Sequence, residues 1–320
     1  MNVLICLLAA LAAVHSLPAV SQAYPNKPIR FIIPFPPSGP TDILGRVAAT
    51  QLSSALGVGV VPENRGGAGG TLGAELCAKS PPDGYTLCIM SVAQAIAPSI
   101  YPNLSFSPVK DFAHVSLLAT LPSILLVHPS MPVKNVKELV TLAKARPGRL
   151  NYASSGNGSS SHMLMELLKV SAGINLVHVP YKGTGPALID QISGQVEVGF
   201  AAIVAALPHV ESGRLRNIGV STRDRFPSLP NTPTIDESGV KGFDGGSWLG
   251  VVAPAGTPRA AVDKVNGELS TIFRQAAMKE KVLALGGIPI QKSSDEFTKY
   301  VQGETAKWAN IVKTAKIRVE

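Results

Sequence analysis

The sequence predicts an α/β protein made of two lobes with a cleft between them. Short apolar segments alternate with amphipathic helical patterns, an order typical of sheets covered by helices. This alternation occurs twice, and a chain of 320 residues is long enough for about two domains. A segment rich in Pro, Gly and Asp, residues 223–246, follows the second unit and lets the chain return to the first. We therefore expect residues 24–123 and 227–320 in lobe 1, and residues 124–226 in lobe 2.

The first unit begins with an apolar segment at residues 29–33 that is bounded by prolines, the pattern of a buried strand. Further strands are predicted at residues 59–61 and 85–90, and helices at residues 41–56 and 71–79. Cys77 falls in a helical pattern and Cys88 in a strand pattern. An exported cysteine pair can oxidise, but we favour two buried free thiols.

The second unit follows an apolar stretch at residues 115–127, which we interpret as core-strand material. The remaining patterns fall into two groups. Predicted strands cover residues 150–153, 176–179, 196–200, 215–221 and 247–253. Predicted helices cover residues 136–145, 163–172, 186–193, 258–285 and 294–315.

Residues 1–23 contain no Asp, Glu, Lys or Arg and are almost continuously apolar from Leu4 to Val14. Small residues at Ser21 and Ala23 match the positions that a signal peptidase reads, so we expect a secretory signal peptide cleaved after Ala23. The apolar run is shorter than the ~18 residues of a spanning helix, which disfavours a membrane anchor. A basic residue near the start, usual in signal peptides, is missing.

Composition excludes several classes of function. With 45% hydrophobic and 16% charged residues, the chain is not disordered. Aromatic residues make up only 5% and no polybasic run occurs, so we expect no nucleic-acid binding. No Cys-x-x-Cys motif or histidine cluster suggests a metal, and we expect no cofactor. The net charge of +8 is compatible with an anionic partner.

Three loops rich in glycine and hydroxyl groups, at residues 34–42, 64–71 and 154–162, join a predicted strand to a predicted helix. In open parallel sheets, ligands bind beyond the carboxyl ends of strands, and helix N-termini attract anions. The third loop, with five hydroxyls, is the strongest candidate for ligand contact. The first loop has an alternative role in helix capping by Thr41 and Asp42, and the second in simply turning the chain.

An enzymatic reading finds little support. No Gly-x-Ser-x-Gly nucleophile elbow occurs, and acidic residues are sparse. A secreted hydrolase that uses Ser159 or Ser160 with His162 remains as an alternative, without a positioned acid to complete it.

Motifs distributed over nearly the whole mature chain resemble those of the Bug/TctC family of periplasmic solute-binding proteins, the receptors of tripartite tricarboxylate transport. The segments that carry the resemblance are residues 24–29, 34–42, 63–70, 82–87, 151–160, 178–183, 207–209 and 253–258. The resemblance implies a type II periplasmic binding fold whose lobes close around a small carboxylate, held largely by backbone N–H groups, hydroxyls and water.

The resemblance further implies a non-enzymatic periplasmic receptor that delivers its ligand to membrane permease subunits. Signalling to a membrane sensor kinase is the alternative, and we expect a monomer. Together with the loop chemistry, the resemblance gives a set of candidate ligand-binding residues. These are Phe35, Pro37, Ser38, Gly39, Thr41, Asp42, Ser91, Ser155, Gly156, Asn157, Gly158, Ser159 and Ser160.

Four residues depart from the family pattern. Ser38 replaces the first glycine of a Gly-Gly pair, while Gln94 and Ala97 replace the usual His and Asn. Ala201 stands where an aspartate is common, which removes a carboxylate near the cleft. We expect this loss to favour dicarboxylates over zwitterionic amino acids.

Overall fold

The computed structural model describes residues 24–37, 39–315 and 317, so the predicted signal peptide and Ser38 lie outside the described residues. The strands are β1 Ile29–Ile33, β2 Val60–Asn64, β3 Thr86–Ser91, β4 Phe112–Leu121, β5 Ser123–Val127, β6 Asn151–Ser154, β7 Val177–Pro180, β8 Val198–Ala202, β9 Arg216–Val220, β10 Ser247–Pro254 and β11 Ile288–Lys292. The helices are α1 Pro40–Leu56, α2 Thr71–Ala78, α3 Val92–Ile100, α4 Val136–Ala145, α5 Ser160–Ala172, α6 Thr184–Ile192, α7 Ile203–Glu211, α8 Arg259–Arg274, α9 Ala276–Ala284 and α10 Ser294–Ala315.

The strands form two sheets, and the predicted α/β class is confirmed. The first lobe contains a six-stranded sheet in the order β11-β4-β10-β3-β1-β2, and the second lobe a five-stranded sheet in the order β7-β6-β8-β5-β9. Strands β1, β2 and β3 are parallel, as are β6, β7 and β8 where they pair. However, β10 runs antiparallel to β3 and β4, and β5 antiparallel to β8 and β9. Both sheets are therefore mixed rather than wholly parallel.

The apolar stretch predicted as one piece of core strand is divided at Pro122. Its first part, β4, pairs with β10 in the first sheet, and its second part, β5, pairs with β8 in the second. Proline has no N–H to donate to a ladder, so the break between sheets falls where a continuous strand is disfavoured.

The chain crosses between the sheets a second time along the predicted long connection, and the two crossings are hydrogen-bonded to each other. The Ser221 N–H donates to the Ser123 carbonyl at 2.9 Å, and the Ser123 N–H donates to Ser221 Oγ at 2.9 Å. Gly245 N–H then donates to the Ser221 carbonyl at 2.9 Å. These bonds hold the two crossings side by side, and next to them lies the cavity between the lobes.

A disulfide joins Cys77 to Cys88, with a Cα–Cα distance of 6.4 Å. The prediction of two free thiols was therefore wrong. Helix α2 packs against β3, and the cysteines, 0% and 2% exposed, meet inside that interface. The helix around Cys77 and the strand around Cys88 were predicted correctly. The rotation of the helix on the sheet, which brings the two sulfur atoms together, cannot be deduced from the sequence pattern.

One apolar core cluster extends through both lobes. It includes Met90 and Phe297 from the first lobe and Tyr152, Met163 and Phe200 from the second. No helix among residues 24–37, 39–315 and 317 is long and apolar enough to cross a bilayer.

Candidate functional site

A cavity of ≈ 620 Å³ lies between the two lobes. Most of the predicted ligand-binding residues line it. These are Phe35, Pro37, Gly39, Thr41, Ser91, Ser155, Gly156, Asn157, Gly158, Ser159 and Ser160. The first and third candidate loops therefore lie on opposite walls of one cavity. From the second loop, Gly69 reaches the lining.

Asp42 was predicted to contact ligand, but it is buried behind the wall and is not among the lining residues. Its Oδ1 accepts hydrogen bonds from Arg46 Nε at 2.9 Å and from Asn64 Nδ2 at 2.8 Å. The same Asn64 nitrogen donates to the Phe35 carbonyl at 2.9 Å. Asp42 therefore has an indirect role, because it orients the Asn64 side-chain amide, which holds the first loop in place.

The wall of the second lobe is a loop that folds back on its own hydroxyls. Ser161 Oγ accepts from the Ser155 N–H at 2.9 Å and lies 3.0 Å from Ser155 Oγ and 3.1 Å from Ser159 Oγ. Ser159 also caps α5 by accepting from the His162 N–H at 3.3 Å. The buried Ser160 Oγ has no hydrogen-bond partner in the described chain, so it remains available to a ligand or a water.

Beneath this loop lies a column of stacked rings. The ring centroids of His162 and His178 are 4.1 Å apart and their planes are nearly parallel, and Tyr152 stacks on His178 at 4.7 Å. Both histidines support the loop backbone. Gly158 N–H donates to His162 Nδ1 at 3.1 Å, while His178 Nε2 lies 2.6 Å from the hydroxyl of Ser154, which accepts from the Gly156 N–H.

The electrostatics of the column favour neutral imidazoles. Burial and the nearby Lys169 ammonium lower the pKa of His162 to about 4. Burial, followed by the neighbouring His162, lowers the pKa of His178 to about 4 as well. Glu166 accepts hydrogen bonds from the Tyr152 hydroxyl at 2.6 Å and from Lys169 Nζ at 2.7 Å, which fixes the far end of the column.

Five helices begin at the wall of the cavity, because the N-cap residue of each is part of the lining. The N-caps are Gly39 of α1, Ser91 of α3, Ser159 of α5, Gly183 of α6 and Ala202 of α7. The N-termini of α1, α6 and α7 receive no side-chain capping bond. The backbone N–H groups of these helix ends and the helix dipoles make this cavity favourable for anions.

The unusual residues of the sequence occupy different positions around the cavity. Gln94 is 0% exposed and is not part of the lining. Its Oε1 accepts from the Ser91 N–H at 2.8 Å, and its Nε2 donates to the Gly70 carbonyl at 3.2 Å, so it ties two loops together. Ala97 is buried in the core, whereas Ala201 lines the cavity.

Sequence reasoning missed several lining residues of the second lobe and of the crossings. These include Ser123, Lys182, Gly183, Thr184 and Ser247. A signal for the 182–184 segment was present, since it joins β7 to α6 at the carboxyl end of a parallel strand, the same position that singled out the other loops. Ser123 and Ser247 carry no such signal, because they follow from where the chain crosses between lobes.

The site does not contain the arrangement of a serine hydrolase. Ser154 contacts His178, but it is 1% exposed and lies under the loop, out of reach of a substrate. The His162 ring accepts the Gly158 N–H through Nδ1, and His162 contacts the lining residue Ser159 through its backbone N–H, not its ring. Among the described residues, no group of three or more His, Cys, Asp or Glu side chains is placed to hold a metal ion.

Two lobes of mixed sheet, two chain crossings and a cavity lined by helix N-termini define a periplasmic binding protein fold. The family itself follows from the sequence match. Residues 44–317 match the tripartite tricarboxylate transporter receptor family, TctC, and the chain belongs to this family of substrate-binding proteins, which are not enzymes.

Individual relatives cover nearly the whole chain. BugT of Bordetella pertussis is 34% identical over 298 residues, 92% of this chain and 91% of BugT. An R. palustris protein solved with adipate has a TM-score of 0.84 at 34% identity, covering 92% of this chain and 99% of that protein. MatC from Rhodopseudomonas palustris, solved with bound malate, has a TM-score of 0.80 at 32% identity, covering 90% of this chain and 100% of MatC.

Proposed function

We propose that this protein is a periplasmic receptor that captures a small di- or tricarboxylate between its lobes and delivers it to the membrane subunits of a tripartite transporter. In this proposal, residues 1–23 direct export and are removed near Ala23. The lobes correspond to residues 24–123 with 227–320, and to residues 124–226.

The observation that carries the proposal is the convergence of five helix N-termini on one cavity, three of them without a side-chain cap. Uncapped N–H groups need an acceptor, and a carboxylate supplies oxygens that satisfy several at once. The candidate residues Phe35, Pro37, Gly39 and Thr41 then hold the ligand from one wall and Ser155 to Ser160 from the other, together with Ser91.

The class of ligand follows from the charges in the lining. No Asp or Glu occurs among the described lining residues. At position 201, where an aspartate is common in the family, this chain has the uncharged Ala201. An ammonium group therefore has no anionic partner here, which disfavours amino acids. Two relatives solved with adipate and malate are consistent with a carboxylate ligand.

Binding energies of ordinary size are sufficient for capture. A hydrogen bond to a charged group contributes about 1.5–3 kcal/mol, so a few of them reach the roughly −8 kcal/mol of a micromolar complex. Because the contacts come from both lobes, the ligand stabilises the closed arrangement more than the open one.

Uptake of a radiolabelled di- or tricarboxylate tests the whole proposal. Deleting the gene in its host should abolish high-affinity uptake of at least one such acid, and the full chain should restore it. A chain without residues 1–23 should not restore uptake, since it stays on the wrong side of the membrane. Unchanged uptake of all carboxylates tested, with loss of another solute's uptake, would overturn the proposal.

A further inference from the structure

Among the described residues that line the cavity, Lys182 is the only one with a charged side chain. It is exposed and makes no hydrogen bond or ion pair with another described residue. Within the described part of the chain, the ion pairs of other lysines and arginines do not involve Lys182. Lys182 thus lines the cavity with an ammonium that has no described protein partner, and its four-carbon stem allows that ammonium to pair with an anionic group of a ligand.

The backbone next to Lys182 is held firmly against the second lobe's loop. The Tyr181 N–H donates to the Ser154 carbonyl at 3.0 Å, and the Tyr181 hydroxyl donates to Asp190 Oδ2 at 2.8 Å. The Tyr181 carbonyl packs closely on Gly156, because a Cβ added at Gly156 would lie only 3.2 Å from the Tyr181 carbonyl oxygen. The base of the Lys182 side chain is thus fixed beside the loop, while its four-carbon stem leaves the ammonium free to reach a ligand.

Two kinds of anion-binding position therefore occur on opposite walls. The first lobe offers the uncapped N-terminus of α1 at Gly39, and the second offers Lys182 directly before the uncapped N-terminus of α6. Much of the remaining lining is apolar and includes Phe35, Val92, Ile100, Leu121 and Phe200. A ligand with an acid group at each end and a carbon chain between them matches this arrangement.

We propose that Lys182 is a specificity-determining residue that selects acids with two carboxylates over acids with one. It pairs with the second carboxylate while the first is held at helix N-termini, and the carbon chain lies against the apolar wall. This assignment rests on the proposed carboxylate binding and narrows it to dicarboxylates with an apolar middle.

Matched ligand pairs isolate the contribution of Lys182. Calorimetry should compare each straight-chain dicarboxylate from four to eight carbons with the monocarboxylate of equal length, such as adipate with hexanoate. For the best pair, wild-type protein should bind the dicarboxylate at least about tenfold more tightly, in line with a charge-assisted hydrogen bond. Lys182→Met, which keeps an unbranched side chain only one atom shorter, should remove this preference while monocarboxylate affinity stays within about twofold.

Lys110→Met provides the control, because Lys110 is also an exposed lysine and is not part of the lining. It should leave both affinities unchanged, and circular dichroism should show all variants folded. An equal effect of Lys182→Met on both members of a pair, or no effect on either, would refute the role of Lys182 while leaving carboxylate binding intact. Wild-type protein that binds no carboxylate would instead refute the proposed function and this inference with it.

Discussion

Gly158 lies where the two lobes approach each other closely. It lies in the second lobe with φ at +72°, and a Cβ at this position would be 2.4 Å from Ile100 Cδ1 at the end of α3 in the first lobe. Glycine is required for two reasons. One is the left-handed backbone, and the other is the space needed for the lobes to approach.

Gly158→Ala should weaken ligand binding by about tenfold or more, because the added methyl group pushes against Ile100 and opposes closure. The matched control is Gly173→Ala, at φ +62° with nothing within 4 Å of the new Cβ. Both variants should lose about 1 kcal/mol of stability from the left-handed backbone, but calorimetry should show weaker binding for Gly158→Ala alone. Equal affinities for the two variants would contradict the steric argument.

The stacked histidines predict that acid destabilises the protein. Their pKa values in the fold are about 4, below the ordinary 6.5, so between these values the unfolded chain binds more protons than the folded one. Stability is therefore lost as the pH falls from about 6.5 towards 4, by at most ~1.4 kcal/mol per pH unit for each histidine. Protonation also removes the acceptor that His162 Nδ1 offers to the Gly158 N–H.

Thermal melting as a function of pH measures this effect. The double variant His162→Gln with His178→Gln should flatten the decline of melting temperature between pH 6.5 and 4. His128→Gln is the control, because its bond to Ser130 lies at the surface. A decline that is as steep in the double variant as in the parent protein would show that other groups govern the acid response.

The cavity lining was predictable at the residue level where backbone chemistry decides it. Glycine and hydroxyl residues between a strand and a helix pointed to two loops that line the cavity, because a helix N-terminus at a sheet edge favours an anion wherever it occurs. The roles of Asp42 and Gln94 were not predictable, because both depend on partners distant in sequence, Asn64 and Gly70. The departures at Gln94 and Ala97 lie behind the lining, whereas Ala201 lies in it.

At the scale of elements, strands and helices with regular patterns were predicted well, and two helices were missed for an identifiable reason. Helices α3 and α7 contain Pro98 and Pro208 and begin immediately after a strand. Interior proline argues against a helix, but here the buried apolar faces of both helices pack on their lobes and outweigh that local preference. Their N-termini nevertheless contribute to the cavity wall.

The Cys77–Cys88 disulfide ties α2 to β3, and α2 follows the turn that carries Gly69 into the cavity lining. Closing a loop with a sequence separation of 11 should stabilise the fold by roughly 2–3 kcal/mol. Urea unfolding should therefore show a lower midpoint in the presence of a reductant or in the Cys77→Ala, Cys88→Ala double variant. If the reductant lowers the midpoint of the double variant as well, the effect does not come from this bond.

At the scale of the whole molecule, we expect the lobes to move about the paired crossings at Ser123 and Ser221 when ligand binds. Ligand should reduce the radius of gyration measured by small-angle X-ray scattering, since capture stabilises the closed arrangement. Gly158→Leu, which places a larger side chain against Ile100, should show no such reduction. If wild-type protein binds ligand without a change in its radius of gyration, the site is rigid and the expected lobe movement is wrong.

Most of the residues that give the net charge of +8 lie outside the cavity lining. Among the described lining residues, Lys182 is the only lysine or arginine. Backbone N–H groups therefore provide most of the attraction for an anion at close range. The remaining lysines and arginines contribute to the long-range field that raises the rate of encounter with anionic ligands.

Calorimetric titration shows whether the cleft binds a carboxylate. Protein comprising residues 24–320 should be freed of bound ligand by unfolding and refolding, then titrated with dicarboxylates, tricarboxylates, amino acids and neutral sugars. We expect roughly micromolar binding of at least one di- or tricarboxylate and no binding of the amino acids or sugars. Tight binding of an amino acid or a sugar, with no carboxylate bound, would contradict this expectation.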